Sequence, residues 1–137
     1  MFYMIKGMAE TFKVVYNACY GGFDLSVDGL KEYNRRSSKQ VMRADEIGYD
    51  DPVLIDMVET MDAKEINTNN SHLKIKEFPI AFKSFLLWHD YDGKESVRID
   101  YNKYMVDTVK KIIDIDIIAE EKIKRIYDLY HELQQFL

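Results

Sequence analysis

The sequence predicts an α+β fold: a small, mainly antiparallel sheet of about four strands, two short helices and a longer C-terminal helical element. Three observations point there. A run rich in β-branched and aromatic residues opens the patterned part of the chain at Thr11–Ala18. Two strand-like segments flank Asp92-Gly93, and from Asn102 onward the apolar spacing becomes helical.

Thr11–Ala18 (TFKVVYNA) reads as a buried strand that Gly21-Gly22 ends, because glycine adopts backbone angles that strands do not use. Ser26 then opens a helix, its hydroxyl capping a free N–H, with Val27, Leu30 and Tyr33 at helical spacing and an end near Ser37-Ser38. Residues 39–50 are polar and carry no clear period. Asp51-Pro52 starts a second helix for two independent reasons, a capping carboxylate and a proline at the first helical position. Val53, Leu54, Met57, Val58 and Met61 continue it on one face. Asn67-Thr68-Asn69-Asn70 is a loop, after which Leu73, Ile75 and Glu77 alternate with Lys74 and Lys76 as a half-exposed strand up to Pro79.

Phe82–Tyr91 is expected to be a strand, turned by Asp92-Gly93 in a type I′ hairpin whose two central positions need positive φ. Glu95–Asp100 returns antiparallel with Val97 and Ile99 on one face. Beyond it, Met105, Val109 and Ile112 with Val106 and Ile113 form one apolar stripe. Ala119, Ile123, Ile126, Tyr130, Leu133 and Leu137 recur at steps of four and three as a heptad-like seam. The β-branched run from Ile112 to Ile118 marks a break between two helices. The layout is thus an N-terminal extension over 1–10, an α+β core over 11–100 and a helical element over 101–137 that packs on the core or on a second copy.

Composition narrows the function classes. The chain of 137 residues is 47% apolar and 13% aromatic, enough to bury a core that a disordered chain lacks. A net charge of −5 and a pI near 5.2 argue against a general nucleic-acid binder, which shows a basic face. Lys31, Arg35, Arg36 and Lys39 read as a solvated helix face. A single cysteine, Cys19, excludes an internal disulfide and a Cys-rich zinc site. The first residues lack the order of a signal peptide, and no run approaches the ~18 apolar residues of a membrane span. The expectation is a soluble protein of a reducing compartment.

Phe12–Ser26, FKVVYNACYGGFDLS, resembles the opening of a family of small uncharacterised proteins from phages and giant viruses. The family pattern is a hydrophobic strand, then Asn-x-Cys-[Tyr/Phe]-Gly-Gly-Phe, a variable residue, Leu-Ser and a helix. Asp51-Pro52-Val53-Leu54 is similar to its Asp-Pro-x-Leu helix start. Leu73-Lys74-Ile75 is similar to a later strand, and Tyr91-Asp92-Gly93-Lys94-Glu95 to a Tyr-Asp-Gly-x-Glu turn. These landmarks cover residues 12–97 in the family's order; Asp24 stands where the family often has glycine. The resemblance implies a viral origin, a compact α+β fold and a place in the cytoplasm of the infected host cell or in the virion. It carries no catalytic assignment.

Two loops invite chemistry. In Cys19-Tyr20-Gly21-Gly22-Phe23 the glycines could let backbone N–H groups approach a phosphate or carboxylate beside a helix start. Asn17, Tyr20, Gly21, Gly22, Phe23, Trp88 and His89 are the candidate ligand-binding residues. The plain alternative is a tight turn with Tyr20 and Phe23 in the core; the loop has no Lys and no Walker spacing. Cys19 as a nucleophile needs a base, and His72, His89 and His131 are the only histidines. The second loop is Trp88–Glu95, where a histidine and several carboxylates fall close together. On a strand His89 and Tyr91 share one face and Trp88 and Asp90 the other, so the cluster reads more simply as a hairpin tip.

No recognisable catalytic or metal motif and no cofactor signature appears, so binding is the default. The leading expectation is a non-enzymatic viral accessory protein that works by protein–protein interaction and self-associates through Ala119, Ile123, Ile126, Tyr130, Leu133 and Leu137. Its partner is another protein or a second copy, not a membrane or nucleic acid. The alternative is a small-molecule binder, for instance of a nucleotide signal, at the Gly21-Gly22 turn. An enzyme built on Cys19 with His89, or on the hairpin carboxylates, is the third.

Overall fold

The computed structural model describes residues 10–137, so all of the expected N-terminal extension except Glu10 lies outside the described residues. The fold is α+β. Its elements are β1 (Thr11–Asn17), α1 (Val27–Arg36), α2 (Pro52–Thr60), α3 (Ala63–Ile66), β2 (Leu73–Pro79), β3 (Leu86–Tyr91), β4 (Lys94–Ile99), α4 (Tyr101–Asp114) and α5 (Ala119–Gln134), with single 3-10 turns at Ala44–Glu46 and Ile80–Phe82. The four strands form two two-stranded antiparallel sheets, β1–β2 and β3–β4.

The chain divides into two compact units. One comprises Phe12–Glu77 and Trp88–Val97; the other comprises Phe78–Leu87 and Arg98–Leu137 with Thr11. Both units therefore draw on the expected 11–100 core.

The first unit is built on Val15, Leu25, Tyr33, Leu54, Met57, Ile66 and Leu73. Its helices start where the caps dictate. Ser26 Oγ accepts the Gly29 N–H and donates to the Glu65 carbonyl, tying α1 to α3. Asp51 Oδ1 accepts the N–H groups of Val53 and Leu54, while Oδ2 takes the hydroxyl of fully buried Tyr33 at 2.7 Å. One carboxylate thus caps α2 and satisfies the one polar atom of the largest core residue of this unit. Burial, aided by Asp51, pushes the Tyr33 hydroxyl pKa upward.

Residues 39–50, unpatterned in sequence, are held by side-chain bonds to the main chain. Asn34 closes on Val41 through both amide atoms, and Glu46 Oε2 accepts the N–H groups of Met42 and Arg43. The short α3 is a further element, capped by Asp62.

The second unit centres on Phe82, fully buried with its ring edge-on to Tyr101, Tyr104 and Phe136. That demand explains why the strand expected from Phe82 begins only at Leu86. Ile80–Phe82 winds into a 3-10 turn that carries the ring inward. α4 and α5 pack on each other, with Tyr104, Thr108 and Ile112 buried on α4 and Leu129 and Leu133 on α5. The inward line of α4 is thus rotated from the expected stripe, leaving Val106 and Ile113 exposed. The predicted break falls at 115–118.

Candidate functional site

Asn17, at the end of β1, has no solvent exposure. Its Nδ2 donates to the carbonyls of Cys19 at 2.7 Å and Gly93 at 2.8 Å, and its Oδ1 accepts the His72 N–H at 2.8 Å. The Cys19 thiol also donates to that oxygen at 3.6 Å. One buried amide therefore fastens the glycine loop, the start of β2 and the hairpin tip. The Asn17 N–H itself donates to Glu95 Oε1 at 2.8 Å.

Glu95 is buried on β4 and its second oxygen accepts the Tyr49 hydroxyl at 2.9 Å. The Tyr49 ring stacks on Trp88 with centroids 4.3 Å apart and meets Phe23 edge-on at 5.3 Å. Its carbonyl accepts the Val15 N–H at 2.7 Å, anchoring the residue to β1. Desolvation, reinforced by the Glu95 carboxylate, pushes the Tyr49 pKa up to about 12. The structure thus brings Phe23 and Trp88 together through Tyr49, a residue that sequence reasoning missed. Its only signal was being the sole aromatic in 39–50.

The glycines of the loop serve close approach. A Cβ on Gly21 would fall 2.4 Å from the Asn70 carbonyl oxygen, and one on Gly93 would fall 2.3 Å from the Gly22 nitrogen. Gly21, Gly22, Asp92 and Gly93 all have positive φ. Asp92 at 56° and Gly93 at 87° are the type I′ pair expected at the hairpin. The Gly21 N–H donates to the Asp92 carbonyl at 3.1 Å, so this donor is not offered to a ligand.

Of the other candidate ligand residues, Tyr20 is exposed and turns to Tyr91, with its ring under the Lys94 ammonium at 5.4 Å. His89 is exposed on the strand face opposite Trp88. Gly21, Phe23 and Asp24 border an open cleft of about 370 Å³ whose other wall includes Met42, Arg43 and Asp45. A second cleft, of about 470 Å³, is lined by half-buried Cys19; the histidine in that wall is His72, not His89. Among the described residues no three His, Cys, Asp or Glu side chains group to hold a metal ion.

The expected C-terminal seam is divided between two faces. Leu133 is buried and Ile126 half-buried, in line with Leu129 and Phe136; Ala119, Ile123, Tyr130 and Leu137 are exposed. Steps of four and three ran along the border between the faces. The outward line is completed by Tyr127, missed in the sequence: Ile123 is 67% exposed, Tyr127 61% and Tyr130 52%. Tyr127 and Tyr130 both contact the ring of His131. Neither a family model, nor a curated protein, nor a solved structure matches this chain.

Proposed function

We propose that this is a viral accessory protein that works by protein–protein contact and assembles with a second copy through the outer face of α5. The observation that carries this reading is the row Ile123, Tyr127 and Tyr130, each more than half exposed on a helix whose other face is already buried, with exposed Leu137 just past the helix end. Large apolar side chains aligned on one exposed helix face mark interaction surfaces more than solvated ones.

A second copy suits the row because the row is nearly self-complementary. In an antiparallel, two-fold pair centred beside Tyr127, Ile123 of one copy lies level with Tyr130 of the other, and Tyr127 meets the Ile126–Tyr127 turn. Glu120 and Lys124 border the row with charges of both signs, so a copy is not repelled. The resemblance of residues 12–97 to the phage and giant-virus family supports the viral origin and the host-cell cytoplasm. No helix among the described residues is long and apolar enough to cross a membrane.

The alternative, a ligand at the Gly21-Gly22 turn, is less well supported. The Gly21 N–H is engaged, Phe23 and Trp88 are occupied by Tyr49, and Asp24 and Asp45 border the adjoining cleft. Sedimentation equilibrium over a concentration series tests self-association. A concentration-dependent dimer that Ile123→Glu with Tyr130→Glu converts to monomer supports it; a wild-type monomer throughout overturns it.

A further inference from the structure

We propose that the cleft bounded by Cys19, Lys64 and the 67–72 segment binds a small phosphate-bearing molecule. The cleft, of about 470 Å³, falls within the ~300–1,000 Å³ of small-molecule sites. It is independent of the α5 surface.

The 67–72 segment uses its side-chain acceptors within and beside itself. Asn67 Oδ1 accepts the Leu73 N–H at 2.9 Å. Ser71 Oγ accepts both the Thr68 N–H and the Thr68 hydroxyl, and Thr68 Oγ1 accepts the Asn70 N–H. These bonds hold the loop and occupy its side-chain oxygens. What remains for the cleft is donor-rich. Lys64, Asn67, Asn69 and His72 line it, and the ammonium, the two amide nitrogens and the imidazole make no hydrogen bond to another described residue.

Charge points the same way. In a protein of net charge −5, no carboxylate lines this cleft, although Lys64 does. The cleft beside the glycine loop carries Asp24 and Asp45, and the one bordered by α1 carries Asp28, Glu32 and Glu65. Several donors spread over the walls suit the many acceptor positions of a tetrahedral oxyanion better than the two oxygens of a carboxylate.

The main chain of two lining residues is fixed before any ligand arrives. Both main-chain groups of His72 are engaged, its N–H with Asn17 Oδ1 and its carbonyl with the Ala18 N–H. Cys19 is held on the facing side by the same Asn17 amide. A backbone already in place leaves less to order on binding. Asn17 is therefore a positioning residue for this cleft, and the volume left beyond a phosphate accommodates an attached sugar or nucleoside.

The sole thiol of the chain supplies a reporter. Alkylation of Cys19 by iodoacetamide is followed on the full chain with inorganic phosphate, adenosine monophosphate or adenosine, alongside amide shifts in 15N-labelled protein. The expected result is a saturable, several-fold slowing by adenosine monophosphate, shifts confined to residues 63–73 and Cys19, and loss of both in Lys64→Glu and His72→Ala. These side chains are exposed, so the variants keep the core. Phosphate acting as well as the nucleotide places recognition on the oxyanion alone. Adenosine equalling the monophosphate, shifts elsewhere in the chain, or no saturable shift at millimolar nucleotide overturns the proposal.

Discussion

The Tyr49 hydroxyl donates to Glu95 Oε2 at 2.9 Å while the other oxygen of the same carboxylate accepts the buried Asn17 N–H at 2.8 Å. A carboxylate on β4 thereby joins the end of β1 to a loop whose one regular element is the 3-10 turn at Ala44–Glu46. Tyr49→Phe removes one hydrogen bond and is expected to cost ~1–2 kcal/mol. Glu95→Ala also strands the Asn17 N–H and is expected to cost about 2–3 kcal/mol, with Glu95→Gln between wild type and alanine because it keeps an acceptor. The double variant Tyr49→Phe, Glu95→Ala should lose less than the sum. Urea unfolding followed by the fluorescence of the single tryptophan, stacked on Tyr49, reads all four.

The same pair makes the fold sensitive to alkali. Burial holds the Tyr49 proton until about pH 12, against an ordinary tyrosine value of 10.0. Between these values the unfolded chain has released a proton that the folded protein keeps, so stability is complete below pH 10 and falls as pH rises toward 12. Tyr33, Tyr101 and Tyr104 are raised by burial and act in the same direction. Urea midpoints measured from pH 9 to 12 should decline, and Tyr49→Phe should lessen the decline. A flat profile would contradict the assigned environment.

Glycine substitutions separate the two jobs of the loops. Gly21→Ala and Gly93→Ala combine a positive φ with a Cβ driven into main-chain atoms of a neighbouring loop, and each should cost at least ~2 kcal/mol. Gly22 shares the positive φ but faces open space, so Gly22→Ala should cost only ~1 kcal/mol. Gly48 has no such φ and meets only the Asp50 carboxylate oxygen at 3.3 Å, placing Gly48→Ala within ~0.5 kcal/mol of wild type. Thermal unfolding of the four variants should reproduce that order.

Local signals were legible in the sequence wherever the cause is local. Ser26, Asp51-Pro52 and Asp92-Gly93 set their caps and turn through atoms within three residues, and all three stand where the sequence places them. Tyr49 was opaque because its partners are Trp88 and Glu95, tens of residues away. The 39–50 segment is shaped by Asn34 and Glu46 side chains rather than by periodicity. The donor-rich cleft was invisible for a similar reason. It depends on which main-chain donors the oxygens of Asn67, Thr68 and Ser71 take up, and composition does not record that.

The helix α5 shows how close two apolar lines can lie. Ile123 and Leu129 are both large aliphatic residues on one helix, yet Ile123 is exposed and Leu129 is buried at 1% exposure. Leu129→Ala should therefore leave a cavity and lower stability by ~2–5 kcal/mol. Ile123→Ala removes no core contact and should change stability by less than ~0.5 kcal/mol. At concentrations where the protein associates, Ile123→Ala should acquire a cost of its own. Ile123→Ala should weaken association at unchanged monomer stability, because its side chain lies only on the outward line, and dilution should erase the difference from wild type. Chemical unfolding at two protein concentrations reads both effects. A large loss for Ile123→Ala under dilute, monomeric conditions would place Ile123 in the core of its own chain and remove the basis for an α5 interface.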